Sequence, residues 1–132
     1  LQELVSELEI NTQVLFIGFK VHPQKYLAII DVFLLSSLSE GTSMTILEAM
    51  ALSKPCIVTG VGGNPEIVNH LNTGIITPND DHDKFADAAL ELLNNETLRN
   101  SMGANGYKRY QDNFMVSGMT QAYEDIYQQL KK

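Results

Sequence analysis

The chain alternates short continuous apolar runs with segments whose apolar residues are spaced three and four positions apart. Continuous runs are typical of strands buried on both faces of a parallel sheet, and the wider spacing is typical of helices with one apolar side. The runs predict four strands, at residues 14–18, 32–35, 56–59 and 74–77. The spaced segments predict helices at residues 1–8, 23–30 and 44–52, a short helix that begins near residue 65, and three more that begin near residues 83, 96 and 117.

Strands that alternate with helices in this order predict an α/β fold with a mostly parallel sheet, helices on both faces and right-handed crossovers. After the fourth strand the pattern is helical throughout, which predicts a helical C-terminal segment. The last helix has apolar residues along one side that we expect to be packing surface: Met119, Tyr123, Ile126, Tyr127 and Leu130. Ligands of such sheets bind beyond the carboxyl ends of the strands, so the loops that follow the strands are the candidate sites.

Composition and charge exclude several classes of protein. A length of 132 residues with 44% hydrophobic and 19% charged residues is typical of one soluble globular domain rather than a disordered or fibrous chain. The formal net charge of −7 and the scattered placement of the nine Lys and Arg residues argue against nucleic-acid binding. Cys56 is the only cysteine and lies in an apolar run, which predicts a buried, inert thiol and excludes a disulfide framework. No apolar run approaches the roughly 20 residues of a membrane span.

The loop after the second predicted strand, with the helix that follows it, is the strongest candidate site. Gly41 permits close approach of a ligand, and Thr42 and Ser43 lead into a helix whose first amides have no intrahelical partner and can bind an anion. Glu48 is the only charged residue in the predicted helix 44–52. A lone carboxylate on an apolar helix is costly unless a polar group meets it.

Glu48 has two interpretations. Helical side chains lean toward the helix N-terminus, so the Glu48 carboxylate points back at residues 41–45 and suits the two hydroxyls of a ribose. The spacing Thr45-x-x-Glu48 equally matches a capping box, in which Glu48 accepts a hydrogen bond from the Thr45 amide. The spacing leaves both open, and Glu40 considered alone is an ordinary exposed loop acid.

The loop after the third predicted strand is rich in glycine. Asn64 suits a helix N-cap, Pro65 the first helical position and Glu66 the first turn. Capping does not explain Gly62 and Gly63, whereas a ligand close to their backbone would. No Gly-x-Gly-x-x-Gly follows a strand, so a dinucleotide site is not supported.

The remaining polar residues suggest neither a metal site nor a catalytic triad. We expect solvated histidines in a loop, at the end of a helix and at the start of another: His22, His70 and His82. Three acids before and within the next helix are expected to cap it rather than to hold a metal: Asp80, Asp81 and Asp83.

One family matches residues along nearly the whole chain. Glu40 and Glu48 stand eight positions apart, and Glu48 begins the sequence Glu-Ala-Met-Ala. Further matching residues follow in order: Pro55, Thr59, Gly62, Gly63, Glu66, Gly74, Pro78, Asp80, Arg99, Met102, Gly103, Phe114 and Tyr127. The set resembles the C-terminal domain of the family-four (group 1) retaining glycosyltransferases, which have the two-Rossmann-domain (GT-B) fold. The resemblance implies a parallel Rossmann-like sheet and a donor-binding domain over residues 1–132 that lacks its first strands.

The resemblance also implies roles for individual residues. Glu48 would bind the nucleotide ribose, and Glu40, the catalytic candidate, would hold hydroxyls of the transferred sugar. Other donor-binding residues are implied by position, with the nucleotide base near the first two of them: Gly18, Phe19, Gly41, Ser43, Met44, Thr45, Gly62 and Gly63. The family is metal-independent, uses no cofactor and retains the anomeric configuration, so catalysis would rest on leaving-group stabilisation and positioning.

The chain departs from the family pattern at a few positions. Ser53 stands where the family usually has glycine. Thr42 and Ser43 replace the commoner Phe or Pro and Gly beside the sugar, which leaves the donor sugar open. The family's basic Arg and Lys pair that clamps the diphosphate, and its acceptor domain, lie upstream of this chain. Because the chain also begins without Met and inside a predicted helix, we expect a fragment that is inactive when isolated.

The expected function is transfer of a sugar from a nucleotide-diphosphate sugar, with uridine as the expected base. The acceptor would be a carbohydrate or lipid-linked molecule bound by the missing N-terminal domain, in a cytoplasmic enzyme that is peripheral to the membrane when complete. Two alternatives stay open. One is a sugar-nucleotide epimerase of the same architecture, although no acid–base residues of its own are apparent, and the other is a non-catalytic nucleotide-binding module.

Overall fold

The computed structural model describes residues 1–131. In chain order the elements are helices α1 (Gln2–Glu7) and α2 (Gln24–Leu27), strand β1 (Phe33–Leu35), helix α3 (Met44–Ala51), strand β2 (Cys56–Thr59), helix α4 (Asn64–Ile67), strand β3 (Gly74–Thr77), and helices α5 (His82–Asn94), α6 (Glu96–Asn113) and α7 (Val116–Leu130). All the predicted helices form close to their predicted positions, and so do three of the four predicted strands.

The three strands form one parallel sheet in the order β1-β2-β3. Strand β2 is buried along its whole length because it has a strand on each side and helices on both faces. Its alternate residues enter two apolar clusters: Cys56 and Val58 pack with residues of α3 and α4, and Ile57 packs with residues of α5 and α6. The predicted α/β fold, with a parallel sheet between helices, is confirmed.

The prediction of a strand at residues 14–18 is wrong. The segment has no regular secondary structure, and Leu15 is 83% exposed. Residues that favour strands form one only where their backbone pairs with a neighbour, and the sheet formed within residues 1–131 does not include this segment. Strand β1 is therefore one edge of that sheet, and its Leu34 side chain is half exposed.

Two glycines of α6 mark where this helix packs against α3. A Cβ atom at Gly103 would overlap the carbonyl oxygen of Ser53, and Gly106 lies against Met50. The sequence predicts that both glycines weaken the helix, but here their small size permits close packing. Ser53 itself has a φ of 57°, in the left-handed region that favours glycine.

Helix α7 forms as predicted, but its apolar side is not buried. The residues of the predicted packing surface are each more than half exposed: Met119, Tyr123, Ile126, Tyr127 and Leu130. Residues 1–131 therefore do not cover this surface.

None of the helices in the same range is long and apolar enough to cross a membrane.

Local hydrogen bonds fix the elements on either side of β3. The Oδ1 atom of Asp81 accepts a hydrogen bond from the Lys84 amide at 3.0 Å, which confirms the predicted cap of α5 and lowers the pKa of the Asp81 carboxyl. His70 does not end a helix as predicted. It lies in an isolated bridge with Gly74, and its Nδ1 atom accepts a hydrogen bond from the Ile76 amide at 3.0 Å.

Candidate functional site

The loops that follow β1 and β2 meet at the carboxyl edge of the sheet. The Gly63 amide donates a hydrogen bond to the Gly41 carbonyl at 3.1 Å. Gly62 has a φ of 52°, and a Cβ atom there would overlap the carbonyl oxygen of Glu40. The backbone of the loop after β1 thus lies in the close position where the sequence predicts that a ligand approaches Gly62 and Gly63. Contact between these two glycines and a ligand stays a prediction.

The Glu40 carboxylate is hydrogen-bonded by Ser37, and Thr59 in turn holds the Ser37 backbone. Ser37 Oγ donates a hydrogen bond to Glu40 Oε1 at 2.6 Å. Thr59 Oγ1, at the end of β2, donates one to the Ser37 carbonyl, also at 2.6 Å. Glu40 is only partly exposed, so it is not the ordinary surface acid that its position alone suggested.

The Asn64 side chain holds the end of β2 and does not cap α4, although the sequence predicts that it does. The N-cap position belongs to Gly63, and the Asn64 side chain is fully buried. Its Nδ2 atom donates a hydrogen bond to the Thr59 carbonyl at 3.1 Å. Because the buried Asn64 amide bonds the Thr59 carbonyl, it fixes the loop between β2 and α4.

Glu48 lies on the second turn of α3, and the capping box is not formed. The N-cap is Ser43, no side chain caps this helix, and the Glu48 side chain makes no hydrogen bond within residues 1–131. The structure therefore contradicts the capping alternative and leaves the partly exposed Glu48 carboxylate free for a ligand.

Glu48 lines a cavity of about 320 Å³ that several predicted site residues share. Thr45 and Gly18 lie on its wall, as do Lys20 and Tyr26, which the sequence did not single out. Phe19 is 91% exposed and is not part of that wall. On its other side Glu48 faces a second cavity, of about 240 Å³, which Met44 also lines. The segment 14–20, although not a strand, thus brings the predicted base-binding region to Glu48.

The N-terminus of α3 lies between the two glutamates in sequence. Ser43 is 5% exposed and its Oγ atom pairs with Thr45 Oγ1 at 3.0 Å, so its hydroxyl faces the protein. Gly41, Met44 and Thr45 are exposed. The first amides of α3 have no side-chain cap and form a region of positive partial charge at the start of the helix that carries Glu48.

Neither Cys56 nor a cluster of metal-ligating side chains adds chemistry to this site within residues 1–131. Burial raises the pKa of the Cys56 thiol to about 12, as a buried, inert thiol predicts. Within residues 1–131 no three His, Cys, Asp or Glu residues are grouped so that they could hold a metal ion.

A profile of the family described as "Glycosyl transferases group 1" matches residues 1–109. The chain belongs to this family. Among curated relatives, the N-acetyl-alpha-D-glucosaminyl L-malate synthase of Bacillus anthracis is 38% identical over 125 residues, which are 95% of this chain and 33% of that protein. The lipopolysaccharide core biosynthesis mannosyltransferase LpsB of Rhizobium meliloti is 29% identical over all of this chain and 38% of its own length. The chain thus spans about a third of the length of these relatives.

Solved structures of glycosyltransferases have the same fold as this group 1 chain. The sucrose-phosphate synthase of Thermosynechococcus elongatus superposes with a TM-score of 0.91 at 28% identity, over 98% of this chain and 33% of that one. HepE of Anabaena, solved in complex with UDP, has a TM-score of 0.92 at 21% identity over 97% of this chain and 35% of its own. The C-terminal domain of a group 1 protein from Francisella tularensis matches with a TM-score of 0.81 at 25% identity, over 87% of this chain and 60% of that one. The resemblance to the C-terminal part of a GT-B glycosyltransferase is confirmed.

Proposed function

We propose that the chain is the donor-binding, C-terminal part of a retaining glycosyltransferase that uses a UDP-sugar. The observation that supports this best is the cavity shared by Glu48, Thr45 and Gly18, because it joins a free carboxylate to an uncapped helix N-terminus. HepE, which has this fold, binds UDP and UDP-glucose. In the proposed enzyme the acceptor, a carbohydrate or lipid-linked molecule, is bound by a domain outside this chain.

We propose one set of roles for the residues around Glu48 and another for the residues around Glu40. Glu48 accepts hydrogen bonds from the ribose hydroxyls, with the base next to Gly18 and Phe19. The backbone of Met44 and Thr45 contacts the diphosphate, whose negative charge the N-terminus of α3 attracts. The Ser43 hydroxyl faces the protein, so only its backbone can take part.

Glu40 and Gly41 contact the transferred sugar in this proposal, and Gly62 and Gly63 support them from the neighbouring loop. Charge builds up on the leaving diphosphate as the sugar departs, and preorganised backbone amides stabilise such charge without reorganising. The proposed reaction needs neither a metal nor a cofactor. An Arg and Lys pair supplied outside this chain would complete the diphosphate site, so the isolated chain should bind donor weakly and transfer nothing.

The role of Glu48 is tested by calorimetry on the full-length protein with UDP-, GDP- and ADP-sugars. Glu48→Ala should weaken donor binding by about 1–3 kcal/mol, the range for lost hydrogen bonds to a charged group. Glu91→Ala, an exposed acid on α5, is the matched control and should bind as the unmodified protein does. Unchanged donor affinity in Glu48→Ala, with a lower melting temperature, would assign the carboxylate a structural role instead.

The products decide between transfer and the epimerase alternative. Incubation of the full-length protein with donor and candidate acceptors should release nucleoside diphosphate and form a glycoside with the anomeric configuration of the donor. Recovery of an epimeric sugar nucleotide without any glycoside would reject the transferase proposal.

A further inference from the structure

The Ser37 side chain bonds to the Glu40 carboxylate within one loop. Its Oγ atom lies 2.6 Å from Glu40 Oε1, and both residues are partly buried. A glutamate side chain on a loop otherwise samples several rotamers, and fixing them costs up to about 2 kcal/mol. A hydrogen bond present before substrate arrives removes part of that cost from the binding step.

Ser37 is itself held by the neighbouring strand. Thr59 is only 5% exposed, and its Oγ1 atom donates to the Ser37 carbonyl at 2.6 Å although the two residues are 22 positions apart. Because β1 and β2 are adjacent and parallel, their carboxyl ends bring these two residues together. The Ser37 backbone, from which the hydroxyl projects, is therefore anchored to the end of β2.

The backbone of Glu40 is restrained from the opposite side. Gly62 packs against the Glu40 carbonyl so closely that a Cβ atom would not fit, and the Gly63 amide bonds to the Gly41 carbonyl. Both the backbone and the carboxylate of Glu40 are therefore fixed. This is the arrangement expected for a group that must meet a ligand in one orientation.

We propose that Ser37 is a positioning residue that orients the Glu40 carboxylate toward the transferred sugar, with Thr59 holding Ser37 in place. This inference rests on the proposed contact between Glu40 and the sugar. It differs from a purely structural role for the Ser37 hydrogen bond, which would stabilise the loop but would not change how the protein distinguishes a sugar nucleotide from its nucleoside diphosphate.

The experiment measures that distinction in the full-length protein. Calorimetry gives the affinities for one of three probe pairs, UDP-glucose and UDP, UDP-N-acetylglucosamine and UDP, or GDP-mannose and GDP, whichever binds most tightly. Ser37→Ala should lower the ratio of sugar-nucleotide affinity to nucleoside-diphosphate affinity by roughly 5-fold, as expected for one lost hydrogen bond. Ser37→Thr retains the hydroxyl and should keep the ratio within about 2-fold of its original value.

Two controls separate orientation from folding. Ser39→Ala removes an exposed hydroxyl of the same loop that makes no hydrogen bond within residues 1–131, and it should leave the ratio unchanged. In a Glu40→Ala background, Ser37→Ala should have no further effect, because the carboxylate that accepts the Ser37 hydrogen bond within residues 1–131 is gone. If Ser37→Ala does not fold, Thr59→Val, which removes the bond to the Ser37 carbonyl, replaces it with the same expected direction.

The outcomes distinguish this inference from the proposed function. If Glu40→Ala lowers the ratio and Ser37→Ala does not, the positioning role fails and the role of Glu40 stands. A lower melting temperature in Ser37→Ala with an unchanged ratio also overturns it. If Glu40→Ala leaves the ratio unchanged, or no probe binds, both proposals fail together.

Discussion

Replacing Ser53 with glycine is expected to stabilise this fold. Ser53 follows α3 with a φ of 57°, a conformation that costs roughly 1–2 kcal/mol for a residue with a Cβ atom and almost nothing for glycine. The Ser53 side chain is exposed and makes no hydrogen bond within residues 1–131, so its loss removes no hydrogen bond. Glycine also makes the unfolded chain more flexible, which opposes the gain by about 0.4–1 kcal/mol. Subtracting the second range from the first gives a net stabilisation of about 0–1.6 kcal/mol, with a midpoint of about 0.8 kcal/mol.

The assay is urea denaturation of the chain followed by circular dichroism, with thermal melting as a second measurement. A gain of this size corresponds to a rise in melting temperature of about 2–5 °C for a domain of this length. Ser53→Ala is the matched control, because alanine keeps the Cβ atom and its cost in the left-handed region. An equal gain from alanine, or a loss of stability with glycine, would refute this reasoning.

Two further predictions concern the core. Gly103→Ala should lower the free energy of unfolding by about 1–3 kcal/mol, because its Cβ atom would overlap the Ser53 carbonyl, whereas Gly118→Ala, with open space around it, should be neutral or stabilising. Equal changes in the free energy of unfolding for the two variants, measured by urea titration, would contradict the close contact between Gly103 and the Ser53 carbonyl. Burial raises the pKa of the Cys56 thiol from 9.0 to about 12. Between these two pH values the folded state keeps a proton that the unfolded state loses. Its contribution to stability should be full below about pH 9 and be lost as the pH rises toward 12, and Cys56→Ala should lack this pH dependence. Thiol labelling of the native chain at neutral pH would argue against such burial.

The parts of the fold that depend on local pattern could be predicted from the sequence. The run 56–59 reads as a doubly covered strand, and β2 occupies those residues with every side chain buried. The segment 14–18 has the same kind of composition but no strand partner within residues 1–131. Pairing is a property of two segments, so apolar content alone could not decide it.

The sequence identified individual residues of the candidate site but not the groups that they contact. Glu48 stood out because it is a lone acid on an apolar helix, but sequence spacing could not distinguish capping from ligand binding. Gly62 was recognised as a position of close approach, although the approaching group proved to be the backbone of Glu40. Ser37 and Thr59 were missed as support for Glu40. The available signal was that both are hydroxyl residues just past or at the ends of two adjacent predicted strands.

The edge strand β1 has a consequence for handling the chain in solution. Its outer backbone groups have no strand partner within residues 1–131, and exposed Leu15 and half-exposed Leu34 add apolar surface to the chain. An unprotected edge of this kind is a template onto which a strand from another copy can add. The chain expressed alone should therefore self-associate at high concentration and show concentration-dependent light scattering. A charged residue at Leu34 should reduce that scattering, because charge on an edge strand opposes edge-to-edge pairing.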